Sequence, residues 1–221
     1  MTGPRVFGAQ LPSWPRKGTT VDEIVLHESV TGSRTATVNV LKARGLSVHV
    51  IIDRDGSVTW HADPTEQCAH AGGRHNRRSI GVEVVNRYYG AQAGPNETTI
   101  PAVWAHRGVY IVPTLAQMEA TWQVVLDLHE RHSTIPLVFP GVSAEEGFRW
   151  GRYSWLQRLP LQLPAGVVAH HRFDHADGLF PEHYCWARAL DLDPGDAYRA
   201  TVLSASSGRR VTPAPVNGGV S

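Results

Sequence analysis

Three short apolar runs, far apart in the chain, govern what this sequence can fold into. Glu23-Ile24-Val25-Leu26-His27, Ser79-Ile80-Gly81-Val82-Glu83-Val84-Val85 and Val167-Val168-Ala169 are rich in β-branched residues and end in polar or turn residues, so each reads as a short buried strand. Two of them run into histidine, at His27 and at His170-His171. Side chains at the ends of neighbouring strands can converge on one face of a sheet, where a metal or a substrate could bind. The middle run holds a single carboxylate, Glu83, and a buried glutamate is rare unless it is paired or functional.

Other signals place elements around these strands. Thr35 is read as the cap of a helix to about Arg44, stopped by Gly45. Ser47 to Asp53, the turn Arg54-Asp55-Gly56-Ser57 and Val58 to His61 predict a hairpin. Thr114-Leu115-Ala116-Gln117 has the form of a capping box, opening a helix with Leu115, Met118, Trp122, Val125, Leu126 and His129 at helical spacing. Further helix is expected around 183–190 and after Asp193-Pro194. Residues 1–20 read as an irregular lead-in, 21–205 as a single domain, and 206–221 as a Ser/Gly/Pro-rich tail expected to be disordered. Two irregular insertions, 87–113 and 139–164, interrupt the domain, the second carrying Phe148, Trp150, Tyr153 and Trp155.

Composition narrows the chemistry. A chain of 221 residues is enough for one domain with a sizeable core. Its formal charge of +1 gives no global attraction to nucleic acid, and no nucleic-acid partner is expected. No run approaches the roughly 18 apolar residues of a membrane span, and no apolar run of signal-peptide length follows Met1-Thr2-Gly3-Pro4-Arg5. The expectation is therefore synthesis as a soluble product. The 2 cysteines, Cys68 and Cys185, have no zinc-ribbon spacing, and two reduced thiols are favoured over a bridge. Any metal must rest on carboxylates and some of the 12 histidines.

His27, His170 and Asp177, seven residues beyond His170, form such a set. Two imidazole nitrogens and a carboxylate oxygen are a known catalytic zinc set with an open fourth position. Spacing alone leaves alternatives open. His171, Asp174 and His175 compete with Asp177, and Glu83 could instead be a structural carboxylate held by Arg78 or Arg87.

Four segments in order carry a resemblance. They are Ile24-Val25-Leu26-His27-Glu28-Ser29; Val48-His49-Val50-Ile51-Ile52-Asp53-Arg54-Asp55-Gly56; Cys68-Ala69-His70-Ala71-Gly72 with Asn76 and Ser79-Ile80-Gly81-Val82-Glu83; and Val167-Val168-Ala169-His170-His171 with Asp177. Together they make the chain resemble the zinc-dependent N-acetylmuramoyl-L-alanine amidases of the type 2 family, a superfamily shared with peptidoglycan recognition proteins, over residues 22–86 and 114–192. The resemblance implies an α/β fold, mixed α+β, with a central mixed β-sheet flanked by helices. It implies a Zn2+ cofactor and hydrolysis of the amide between N-acetylmuramic acid and L-alanine in peptidoglycan or a muropeptide. His27, His170 and Asp177 would hold zinc, Glu83 would be the general base, and His175 would assist the oxyanion. His70 and Asn76 would border the substrate groove.

Two departures from the family pattern stand out. Val48 occupies a position where many members have tyrosine, which shifts proton transfer to Glu83. The spacing from His170 to Asp177 is one residue short of the usual, so His171 and His175 remain rival ligands. A peptidoglycan-binding module without chemistry, or an amidase acting on another amide, are the competing functions. Localisation stays open, with action on the wall expected after release or delivery. Oligomeric state stays open too, monomer included.

Overall fold

The computed structural model describes residues 5–88, 93–143, 150, 165–172 and 177–211. In chain order the strands and helices are β1 (Trp14–Pro15), β2 (Glu23–Glu28), α1 (Arg34–Ala43), β3 (Val50–Ile52), β4 (Val58–Trp60), β5 (Glu66–Gln67), α2 (Gly73–Arg78) and β6 (Ser79–Val84). Then come β7 (Thr99–Pro101), β8 (Val109–Ile111), α3 (Leu115–Arg131), α4 (Pro140–Ser143), β9 (Gly166–Ala169), α5 (Leu179–Ala189) and α6 (Pro194–Ser207).

The main sheet has five strands in the order β4-β3-β6-β2-β9. β2 is parallel to β6 and β9, β3 is parallel to β6, and β4 is antiparallel to β3. It is a mixed sheet. Its parallel strands are buried on both faces, which is why they read as near-continuous apolar runs rather than alternating ones.

The two faces differ in what covers them. Ile24, Leu26, Ile80, Val82, Val84, Val167 and Ala169 enter the large core with Met118, Val125 and Leu128 of α3 and Phe180 and Tyr184 of α5. Each such buried aliphatic side chain contributes roughly 1.5–3 kcal/mol. On the opposite face, Ile51 and Val85 pack with Leu11, Val38 and Val48, while Val25 and Val168 form a small cluster with Ala71. The thinner cover leaves room there for a site.

Local chemistry fixes the helix starts. Thr114 Oγ1 accepts from the Gln117 amide and the Gln117 side chain returns the bond, the expected capping box. Asp193 caps α6 in front of Pro194. The cap of α1 is Ser33, which accepts from the Ala36 amide, so the predicted cap at Thr35 is corrected. The lead-in is tied down: β1 pairs with β5, and Leu11 is buried. Insertion 87–113 contains the antiparallel pair β7–β8. Of insertion 139–164, α4 and the buried Trp150 are described, while Phe148, Tyr153 and Trp155 lie outside the described residues. Helix α6 runs to Ser207, and residues 212–221 of the expected tail lie outside the described residues. Cys68 and Cys185 are both buried and free. No helix among the described residues is long and apolar enough to cross a membrane.

Candidate metal centre

The centre forms where the strands of the thinly covered face end. His27 is the fifth residue of β2, and its register partner on β6 is Glu83. Parallel strands in register point partnered side chains to the same face. β9 lies on the other side of β2 and leads into a 3-10 turn at His170–Arg172. Asp177 follows just before Gly178, the residue that caps α5.

Ligand-competent atoms of His27, His170 and Asp177 all lie within 4.8 Å of one another. Nδ1 of His170 is 3.3 Å from Asp177 Oδ1, and Nδ1 of His27 is 3.9 Å from it. The His27 and His170 rings have centroids 4.5 Å apart. Asp177 Oδ1 is buried and has no hydrogen-bond partner among the described residues, while Oδ2 lies 3.4 Å from His170 Nδ1. A buried carboxylate oxygen without a donor is costly unless a cation meets it. Two imidazole nitrogens and this oxygen fit a tetrahedral zinc ion with one position left over.

The Asp177 loop is held by the strand it faces. Glu28 Oε2 accepts from the Gly178 amide at 3.1 Å, while Oε1 accepts from Asn86 Nδ2 at 2.9 Å and from the Tyr110 hydroxyl. Burial pushes the Glu28 carboxyl up to about 7, against the pull of those donors. Gly178 has φ +81°, and a Cβ there would stand 2.0 Å from Leu26 O, so only glycine permits the loop to approach β2 this closely. Behind His170, Arg172 and Glu182 form a fully buried ion pair, and Glu182 Oε1 also accepts from the Ala169 amide.

His27 has a histidine neighbour: its Nε2 lies 3.0 Å from His70 Nδ1. Burial holds the His70 ring well below the usual histidine range, with His49 and His170 adding to the effect. Glu83 is 7% exposed and no described residue donates to it. Arg78 pairs with Asp22 and Glu23, and Arg87 with Glu97, so neither arginine expected as its structural partner serves it. Burial first, then the charges of Asp177 and Glu28, raise the Glu83 carboxyl well above the ordinary range.

A cleft of about 340 Å³ opens over these groups. Glu83, His27, His170 and Asp177 line it, as do His70, Asn76, Tyr88 and Val48, and Thr37, Val40 and Leu41 of α1, with Arg44 just beyond that helix, form one wall. Val48 offers no proton to the chemistry. Asn76 borders the cleft, but its Oδ1 is engaged by the amides of His70 and Ala71. The rival ligand His171 is fully buried and falls outside the three-residue group. His175 and Asp174 lie outside the described residues. Sequence reasoning passed over Glu28, although a carboxylate directly after a strand-end histidine carries the same signal as Glu83. It also missed Tyr110, which reaches the site from an insertion with no periodic pattern.

The family model described as N-acetylmuramoyl-L-alanine amidase matches residues 17–185, a span that includes His27, Glu83, His170 and Asp177. No curated protein matches the chain. Among solved structures, the hydrolase AmiA of Staphylococcus aureus in complex with its ligand is 15% identical, with 97% of this chain and 90% of that one covered and a TM-score of 0.48. The N-acetylmuramoyl-L-alanine amidase LysC of Clostridium intestinale URNW is also 15% identical, with 78% and 86% covered and a TM-score of 0.47. Drosophila peptidoglycan recognition protein SA is 12% identical, with 74% of each chain covered and a TM-score of 0.41.

Proposed function

The chain belongs to the N-acetylmuramoyl-L-alanine amidase family, and from that premise we propose that it is a zinc hydrolase cleaving the amide between N-acetylmuramic acid and L-alanine in peptidoglycan or a muropeptide. The observation that carries the reading is the convergence of His27, His170 and Asp177 within 4.8 Å beside Glu83, to which no described residue donates.

Zinc bound by those three residues would supply Lewis acidity, acidifying water and polarising the scissile carbonyl. The protein's own groups do the rest. A Glu83 oxygen takes the proton of the attacking water and hands it to the departing amide nitrogen. Its burial raises its affinity for a proton above that of an ordinary carboxylate, which favours proton uptake from the water. Gly178, next to Asp177, is tied to Glu28 of β2, and Ala169, next to His170, is tied to Glu182, which supports a site that needs little rearrangement. His175, two residues before Asp177, is proposed as the donor to the developing oxyanion, a role its position in the sequence supports. The cleft wall formed by Thr37, Val40 and Leu41 of α1, with Arg44 just beyond the helix, would seat the peptide stem.

Digestion of purified peptidoglycan, with mass spectrometry of the released ends, tests this. Free L-alanine amino termini opposite intact muramic acid are expected. Cleavage at another amide would reassign the substrate, and retention of peptidoglycan without cleavage would make the chain a binding module.

A further inference from the structure

We propose that His70 is a positioning residue that fixes the tautomer of His27, so that His27 presents Nδ1 to the metal. The inference rests on the reading of His27 as a ligand.

Proton counting along a short chain of atoms carries it. Ser79 Oγ has a single proton and lies 2.6 Å from the carbonyl oxygen of His75, which can only accept. That proton is therefore spent. Ser79 Oγ also lies 3.2 Å from His70 Nε2, where it must accept, so Nε2 of His70 carries hydrogen. In the neutral ring, His70 Nδ1 then holds the lone pair. It faces His27 Nε2 at 3.0 Å, and that nitrogen must donate. A neutral imidazole with hydrogen on Nε2 has its lone pair on Nδ1, the nitrogen that His27 turns toward Asp177. Outer partners that set a ligand's tautomer in this way are part of a metal site, and losing one typically costs 10–100-fold in affinity.

The fold provides a seat for the His70 ring. Gly81 lies beneath it on β6, and a Cβ there would meet His70 Cγ and Nδ1 at 2.8 Å. The His70 amide is anchored by Asn76 Oδ1 at 3.0 Å, and its ring stands nearly perpendicular to that of His27, at 80°. A glycine inside a buried strand gives up packing and is entropically unfavourable. Here the missing side chain is what admits the imidazole.

Two measurements test the proposal. The first is a long-range 1H–15N correlation spectrum of the metal-free, histidine-labelled protein, which reads the His27 tautomer directly. The second is zinc affinity, by competition with a chromophoric chelator, in His70→Leu, His70→Asn and Gly81→Ala. Asparagine places an acceptor oxygen near the position of Nδ1, whereas leucine places none. Hydrogen on His27 Nε2 is expected in the wild type. His70→Leu should bind zinc on the order of 10–100-fold more weakly, His70→Asn should recover most of that loss, and Gly81→Ala should weaken binding by displacing the ring. A wild-type His27 with its hydrogen on Nδ1, or unchanged zinc affinity in His70→Leu, overturns the inference. A wild type that binds no zinc removes the proposed function instead, and the tautomer spectrum still decides the role of His70.

Discussion

Glu83 and His27 are register partners on adjacent parallel strands, each near the end of its strand and both facing the same cleft. Neighbouring strands run about 4.8 Å apart, so the sheet itself sets the distance between the carboxylate and the imidazole proposed to hold the metal. Neither residue depends on a loop for its placement.

The Glu83→Gln variant keeps the size of the side chain and removes the proton acceptor. Turnover should fall on the order of 10²–10⁴-fold, while zinc content stays at the wild-type level. Near-normal turnover in a zinc-replete variant would make Glu83 structural.

Asp177→Ala should yield zinc-poor protein, because it deletes one of the three proposed ligands. Chelation of the wild type should lower thermal stability as well as activity; with free metal a thousandfold above Kd, binding adds about 4 kcal/mol. His175→Ala should remain zinc-replete and turn over roughly 10²–10³-fold more slowly. Metal analysis of both variants checks the assignment, and a reversed pattern would make His175 the ligand.

The Tyr110→Phe substitution removes one of the donors to the buried Glu28 carboxylate. A cost of about 1–3 kcal/mol is expected, measured by urea denaturation. Zinc should also dissociate faster, since Glu28 ties down the Gly178 amide beside Asp177. A variant with unchanged zinc release would separate this network from the site.

His183 supplies a test in pH. Burial pushes its imidazole down to about 3 from an unfolded value near 6.5. A histidine depressed in the folded state gives its full contribution above the unfolded pKa and loses it as pH falls toward the folded one. Between pH 6.5 and 3 the loss is about 1.4 kcal/mol per pH unit. The stability difference between wild type and His183→Gln should therefore shift against the wild type by that slope on acidification. Parallel curves would show that His183 is not held neutral.

The strands and the convergence of His27, His170 and Asp177 were legible in the sequence for the same reason. Double-sided burial writes β2, β6 and β9 as apolar runs, and a polar residue such as His27 or Glu83 inside or ending such a run has few structural excuses. The supporting shell was not legible. Tyr110 reaches Glu28 from 82 residues away in sequence, and no local pattern encodes a contact made by tertiary packing. The α1 cap was misplaced because Ser33 and Thr35 carry the same local chemistry, and the backbone geometry chooses between them. Helix α2 escaped notice because its six residues, Gly73–Arg78, have almost no apolar face.

The bare backbone at Gly81 also has a consequence for relatives of this chain. Since a Cβ at that position would collide with an imidazole at 70, the two positions should vary together across homologous sequences. A relative with a bulkier residue at the position of Gly81 has to surrender the ring opposite it, or move the strand. In an alignment the pair would report on metal tuning even where all three proposed ligands are intact. Sequences that keep the ligands but lose this pair would be expected to hold zinc more loosely.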